Sequence, residues 1–132
     1  MTATDNLGLQ FRRMAISRAM RLPSVDMIDT GHSRADQTVS ASLGEKMHDV
    51  ENDDYLQEVS NNIRKEGQTV PVHIGRAEDV MNAYHVGRNH PARSLYTPDE
   101  LMMGDGHHRL AMMHSQGMKT IKYTDSKKLA EG

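Results

Sequence analysis

The residues of this chain best suited to chemistry form one short run, Gly104–Arg109, which reads Gly-Asp-Gly-His-His-Arg. Three apolar residues precede it and predict a buried strand that turns sharply into a helix. Two glycines around an aspartate suit a turn that needs unusual φ or a close backbone approach. The start of a helix attracts anions through its unpaired N–H groups and its dipole. The run therefore predicts a phosphate site, although a polar turn that only caps a helix is the simpler alternative.

Each polar residue of the run has a candidate role. Arg109 carries a permanent charge in a fork that matches phosphate, and a histidine can donate to phosphate or transfer protons near neutral pH. We assign phosphate contacts to Gly104, Gly106, His107, His108 and Arg109, and candidate catalytic roles to Asp105, His107 and His108. No metal held by the protein is expected. A zinc site built from His73, His85, His90 and one histidine of the run is the alternative.

The flanking sequence predicts the elements that position this run. A helix should follow it to about residue 116, with Gly117 as the terminator and a strand over 119–123. Upstream, an apolar stripe predicts a helix over 53–66, ended by Gly67, and alternation predicts a strand over 70–74. The long connection 75–98 is rich in cations and should lie between two strands, over the Gly-Asp-Gly turn.

The first third of the chain is harder to interpret. Residues 8–21 predict a short basic amphipathic helix that can touch DNA, RNA or an acidic partner, or that only packs on the domain. Its cations are Arg12, Arg13, Arg18 and Arg21. Residues 25–29 suit a first strand and residues 30–52 suggest a loop. From Glu45 to Glu58, six acidic residues and one lysine indicate a solvated face, or else a source of a catalytic carboxylate or Mg²⁺ ligand.

Composition limits the class of protein. The 132 residues suit one domain, whose core must rely on aliphatic residues and eleven methionines because there is one Phe and no Trp. Without cysteine there is no disulfide and no thiolate metal site. A net charge of −2 gives no global attraction to nucleic acid. No apolar run reaches a membrane span and no secretory signal is visible, so we expect a cytoplasmic protein without a membrane partner.

The order of these parts resembles the ParB/sulfiredoxin superfamily. The resemblance rests on Gly67-x-x-x-Pro71-Val72 before a strand and on Asp-Gly-His-His-Arg before a helix, and it covers about residues 22–124. It implies an α+β domain with a compact mixed sheet and packed helices, preceded by a basic extension over 1–21 and followed by a charged tail over 125–132. The chain looks most like small ParB-like nuclease domain proteins, many of them phage-encoded.

The resemblance also implies functional assignments. In the superfamily this turn holds nucleotide phosphates, which places Gly106–Arg109 on the phosphate side, with Asp105 orienting the turn or helping to hold a metal. Three residues should lie near the same cleft: Gly67, Gln68 and Pro71. The same Asp-Gly-His-His-Arg string occurs in the superfamily's free-serine kinases, which use a further acidic base. Its possible counterparts here are Asp29, Glu45 and Glu51.

Departures from the superfamily's pattern argue against two of its activities. Sulfiredoxin chemistry needs a cysteine, and this chain has none. Partition proteins carry a helix-turn-helix domain after this module, for which 132 residues leave no expected room. Three functions stay open: a nucleotide- or nucleic-acid-phosphate-binding module of regulatory or DNA-associated type, a small phosphotransferase or phosphodiesterase, and a degenerate fold serving protein interaction or assembly. The first two imply ATP or CTP with Mg²⁺, and a homo-oligomer is possible in each.

Overall fold

The computed structural model describes residues 11–30 and 33–131 and confirms an α+β fold with six helices and a four-stranded mixed sheet. The strands are β1 (Arg12–Ala15), β2 (Val72–Arg76), β3 (Leu101–Asp105) and β4 (Thr120–Thr124). The helices are α1 (Ile16–Ala19), α2 (Val39–Asn52), α3 (Asp54–Glu66), α4 (Ala77–Ala83), α5 (His107–Ser115) and α6 (Lys127–Ala130).

The sheet has the strand order β1-β4-β2-β3. β4 lies antiparallel to β1 and parallel to β2, and β2 lies antiparallel to β3. Met14 faces Ile121 across the β1–β4 pair, and both side chains are buried. Because β2 begins where the antiparallel strand β3 ends, with His73 opposite Asp105, the sheet places Gly67–Pro71 and the run Gly104–Arg109 close together.

A main core lies between the sheet and helices α2, α3 and α5. Its largest fully buried members include Met103, Leu110, Met112 and Met113. The predicted helix over 53–66 is confirmed: Asp53 caps it by accepting from the Leu56 N–H, and Gly67 ends it at φ +80°. The strands predicted over 70–74 and 119–123 and the helix ending before Gly117 are confirmed within one or two residues.

A second, smaller core lies on the other face of the sheet, beneath α4. It contains Ile28, Val80, Met81, Tyr96 and Met102. The connection 75–98 therefore carries helix α4 and a 3₁₀ turn over Pro91–Leu95. This packing holds the connection against β3, on the opposite side of the sheet from α5.

Three predictions for the first third of the chain are wrong. Residues 12–15 form strand β1 rather than a helix, because pairing with β4 buries Met14 and outweighs local propensity. Residues 25–27 form a 3₁₀ turn, since the Ser24 hydroxyl accepts the Asp26 N–H and caps it. Much of the predicted loop over 30–52 is helix α2, which Thr38 caps. The rest of the predicted N-terminal helix, residues 8–10, lies outside the described residues.

In the described part of the chain, no helix is both long enough and apolar enough to cross a membrane.

Candidate functional site

The turn between β3 and α5 needs both of its glycines. A Cβ on Gly104 would lie 2.5 Å from His73 Nδ1 and 2.5 Å from the Tyr84 ring. Gly106 has φ +101°, and its Cβ would lie 2.6 Å from the buried Val72 Cγ1. The two positions thus allow β2 and the end of α4 to pack directly against the turn.

The N-terminus of α5 is open. Gly106 occupies the N-cap position without a side-chain cap, and Asp105 Oδ1 accepts the Gly106 N–H at 2.8 Å. Among residues 11–30 and 33–131, the backbone N–H groups of His107, His108 and Arg109 have no hydrogen-bond partner. These three donors, together with the helix dipole, create a local preference for an anion.

His107 points away from that opening and into the protein. Its side chain is 7% exposed, and Nε2 lies 2.5 Å from the hydroxyl of the buried Ser24. Burial lowers the pKa of His107 to about 4, despite the opposing charge of Asp26. The imidazole is therefore neutral at physiological pH, and the group that His107 presents to a ligand is its backbone N–H.

His108 points toward α2 and pairs with an acid there. Its Nε2 donates to Asp49 Oδ2 at 2.9 Å, and both side chains are partly exposed. This bond lowers the pKa of the Asp49 carboxyl, against a smaller effect of burial. The pairing orients the imidazole, as a second group does for a catalytic histidine.

Arg109 is partly buried between the turn and the C-terminal helix. Its Nη2 donates to the carbonyl oxygens of Ala130 at 3.0 Å and Pro71 at 3.3 Å. Its Nε is buried without a hydrogen-bond partner in the described part of the chain. Burial lowers the pKa of Arg109, while the charge of Asp105 opposes that change. The guanidinium keeps its charge and has donors to spare.

Two cavities meet at the turn. The first, of about 530 Å³, lies between α3 and α5 and is lined by Gly67, Gln68 and the run Asp105–Arg109. The second, of about 490 Å³, lies on the other side, where its walls include Asp26, Lys46 and His90. Asp105, His107 and His108 line both cavities, so the turn forms the wall between them.

Two side-chain pairs lie in the second cavity. Lys46 lies 2.9 Å from Asp26, and His90 Nε2 donates to Asp29 Oδ1 at 2.6 Å. Of the three predicted acidic candidates, Asp29 lines the second cavity, whereas Glu45 and Glu51 are exposed on α2 and line neither of these two cavities. Within the described residues, no group of three or more acidic or histidine side chains is arranged to hold a metal.

Behind the turn, the partly buried Tyr84 and the buried His73 form a hydrogen-bonded support. Burial raises the pKa of Tyr84 to about 12, so its hydroxyl is protonated and can donate to His73 Nδ1 at 2.9 Å. His73 Nε2 then donates to the Asp125 carbonyl at 3.2 Å. Burial lowers the pKa of His73 and so favours the neutral ring that these two hydrogen bonds require. The pair fixes the rings that enclose Gly104.

The structure brings most of the sequence-predicted site together. Gly67, Gln68 and Asp105–Arg109 share the first cavity, Gly104 lines the second, and Pro71 contacts Arg109 through its carbonyl. Gln68 also pairs with the backbone of Lys122 and ties the cavity wall to β4. Asp49, which pairs with His108, belongs to the acidic segment predicted as an alternative source of a catalytic carboxylate. Sequence reasoning missed four other neighbours of the turn: Ser24, Asp26, Lys46 and Tyr84. No local pattern marks them, since they lie far from the run along the chain.

The arrangement can bind an anion at the α5 N-terminus and can supply one oriented histidine beside it. Comparison of the chain with models of known protein families, with curated proteins and with solved structures finds no match.

Proposed function

We propose that the chain is a ParB-like phosphate-binding module that takes a nucleotide in the first cavity, with its phosphates at the N-terminus of α5. The proposal rests mainly on one observation: four donors without a partner belong to residues that line one cavity. They are the backbone N–H groups of His107, His108 and Arg109 and the buried Nε of Arg109. A buried donor without a partner costs about 1–3 kcal/mol, which a bound phosphate oxygen would recover.

The cavity suits a ligand larger than inorganic phosphate. Its volume of about 530 Å³ falls within the usual range for small-molecule sites. Leu56 and Val59 give one wall an apolar surface, and Tyr55 on the same helix is 70% exposed at its edge. An apolar wall with an aromatic ring favours a nucleobase at the end of the cavity away from Arg109.

The proposed ligand is ATP or CTP with Mg²⁺. Asp105 uses one carboxylate oxygen for the Gly106 N–H, and its second oxygen is without a hydrogen bond among the described residues. That oxygen is suited to a hydrated Mg²⁺ carried by the phosphates, because Mg²⁺ commonly binds one carboxylate together with substrate phosphates.

A second candidate function is phosphoryl transfer or phosphodiester hydrolysis. The observation that favours it is the His108–Asp49 pair, of which His108 lines both cavities. In this scheme His108 accepts a proton from a hydroxyl or water in the first cavity while that oxygen forms a bond to phosphorus, and the bond from phosphorus to the leaving oxygen breaks. Asp49 orients the ring, and Arg109 holds the phosphate. Turnover that disappears in His108→Gln, with nucleotide binding retained, is the expected signature of this function.

The cellular setting is part of the same proposal. It includes a regulatory or DNA-associated role in the cytoplasm, or in the host cytoplasm for a phage-encoded protein. A homo-oligomer is compatible with the proposal and is not required by it. The competing possibility is a degenerate fold that binds only protein partners.

Nucleotide binding is tested by thermal unfolding with ATP, ADP, CTP and GTP, each with and without Mg²⁺. A ligand at about 100 times its Kd should stabilise the wild type by about 2.7 kcal/mol, which is several degrees in Tm. Arg109→Met should lose most of this shift, while Arg64→Met, on an exposed part of α3, should keep it. A wild type that no nucleotide stabilises would contradict the proposal and favour the protein-interaction module.

A further inference from the structure

Positive charge is concentrated at one edge of the sheet, away from the turn. Strand β1 lies at this edge, followed by α1, and β4 is its neighbour. We call the cations on these three segments and directly beside them the basic edge: Arg12, Arg13, Arg18, Arg21, Lys119 and Lys122. In residues 11–30 and 33–131, no acidic side chain forms a salt bridge with any of them.

Like charges face each other at the centre of the basic edge. Arg13 lies directly opposite Lys122 in the β1–β4 register, on the sheet face opposite to Met14 and Ile121. Like charges at such a pair destabilise a sheet. Lys122 Nζ lies 3.3 Å from the Gln68 carbonyl and 5.4 Å from the Phe11 ring, and neither group neutralises its charge. The repulsion would be relieved by an anion that contacts both side chains.

A shallow depression crosses the basic edge. It has a volume of about 330 Å³, and its lining includes Arg13, Lys119 and Lys122, with Glu66 as its one acidic side chain. The acidic segment from Glu45 to Glu58 lies on α2 and α3, which pack on the other face of the sheet. Although the net charge is only −2, positive and negative side chains lie on different faces of the molecule, and one face is suited to a polyanion.

We propose that the basic edge binds the phosphodiester backbone of a nucleic acid, without reading its bases. An acidic protein is the competing partner, but protein interfaces have an apolar centre. Among the described residues, the only large apolar side chain that is strongly exposed is Tyr55, on α3. Nucleic-acid interfaces are polar and rich in positive charge, as the basic edge is. The proposal does not depend on nucleotide binding at α5.

Fluorescence anisotropy with a labelled duplex of about 20 base pairs, measured across a salt series, tests the proposal. Binding should weaken steeply with salt, with a slope of about −0.9 for each phosphate contacted. Arg13→Glu/Lys119→Glu should weaken binding at least tenfold and flatten the slope by about 2. The matched control, Arg64→Glu/Arg88→Glu, reverses two exposed charges elsewhere and should leave binding within about twofold of wild type.

Three outcomes would overturn the proposal: no binding at low salt, equal loss of binding in the control variant, or tighter binding to polyglutamate than to the duplex. The Arg109→Met variant separates the two sites. It should lose nucleotide stabilisation and keep duplex binding. Loss of both activities in that variant, with the fold intact, would place nucleic acid at the α5 turn and contradict binding at the basic edge.

Discussion

Gly106→Ala is expected to lower the free energy of unfolding by about 3 kcal/mol or more. Gly106 has φ +101°, in the left-handed region of the backbone. Any residue with a Cβ is destabilised there by roughly 1–2 kcal/mol. The new Cβ would also lie 2.6 Å from Val72 Cγ1, in a fully buried part of β2, and such overpacking typically costs about 1–3 kcal/mol. Urea unfolding followed by circular dichroism measures the change.

Two other glycines provide controls for this prediction. Gly117, at the other end of α5, has φ +78° but open space around its Cβ, so Gly117→Ala should cost only the backbone term, about 1–2 kcal/mol. Gly44 lies within α2 with open space, and Gly44→Ala should stabilise the protein by about 0.5–1 kcal/mol. If Gly106→Ala lowers the free energy of unfolding no more than Gly117→Ala does, Val72 does not pack closely on the turn.

Acidification is expected to destabilise the protein through His107. Burial lowers the pKa of His107 from 6.5 to about 4 in the folded state, so the unfolded chain binds this proton first. Its contribution to stability is complete above pH 6.5, decreases as the pH falls below that value, and is lost once the pH falls through about 4. Over that window the loss from this one group approaches about 3 kcal/mol.

The His107→Gln variant isolates that contribution. Glutamine can keep a hydrogen bond to Ser24 and does not titrate. Between pH 6.5 and 5, above the usual range of the carboxyl groups, the variant should lose clearly less stability than the wild type. Burial also lowers the pKa of His73, so protonation of His73 destabilises both proteins in acid. This contribution is the same in the wild type and the variant and cancels when their stabilities are compared. Parallel pH dependences would show that His107 is not buried as a neutral imidazole.

Local patterns predicted the elements around the turn because each had its own signal. Asp53 and Gly67 delimit α3, alternation defines β2, and Gly104 and Gly106 mark a turn that only glycine can form. By contrast, β1 depends on its pairing with β4, more than a hundred residues later. Helix α2 has a weakly amphipathic sequence that is hard to distinguish from a polar loop.

The candidate site also has one part that local sequence patterns predict and one part that they do not. Its anion-binding donors belong to consecutive residues, His107–Arg109, so a local pattern could predict them. The individual groups that bond to the side chains of these residues could not be predicted, because Ser24, Asp49 and the Ala130 carbonyl approach the turn only in the folded protein. The run suggests two interchangeable histidines, whereas the fold makes His107 buried and neutral and leaves His108 accessible.

The most direct test of the phosphate site is a titration of ¹⁵N-labelled protein with Mg²⁺–ATP and with inorganic pyrophosphate, followed by two-dimensional ¹H–¹⁵N NMR. The account predicts saturable shifts that are largest at the backbone amides of His107, His108 and Arg109, and at the Arg109 Nε–H. Both ligands should shift these signals, because the phosphates are the shared group. Shifts confined to the basic edge, or no saturable shift at the α5 turn, would contradict the account.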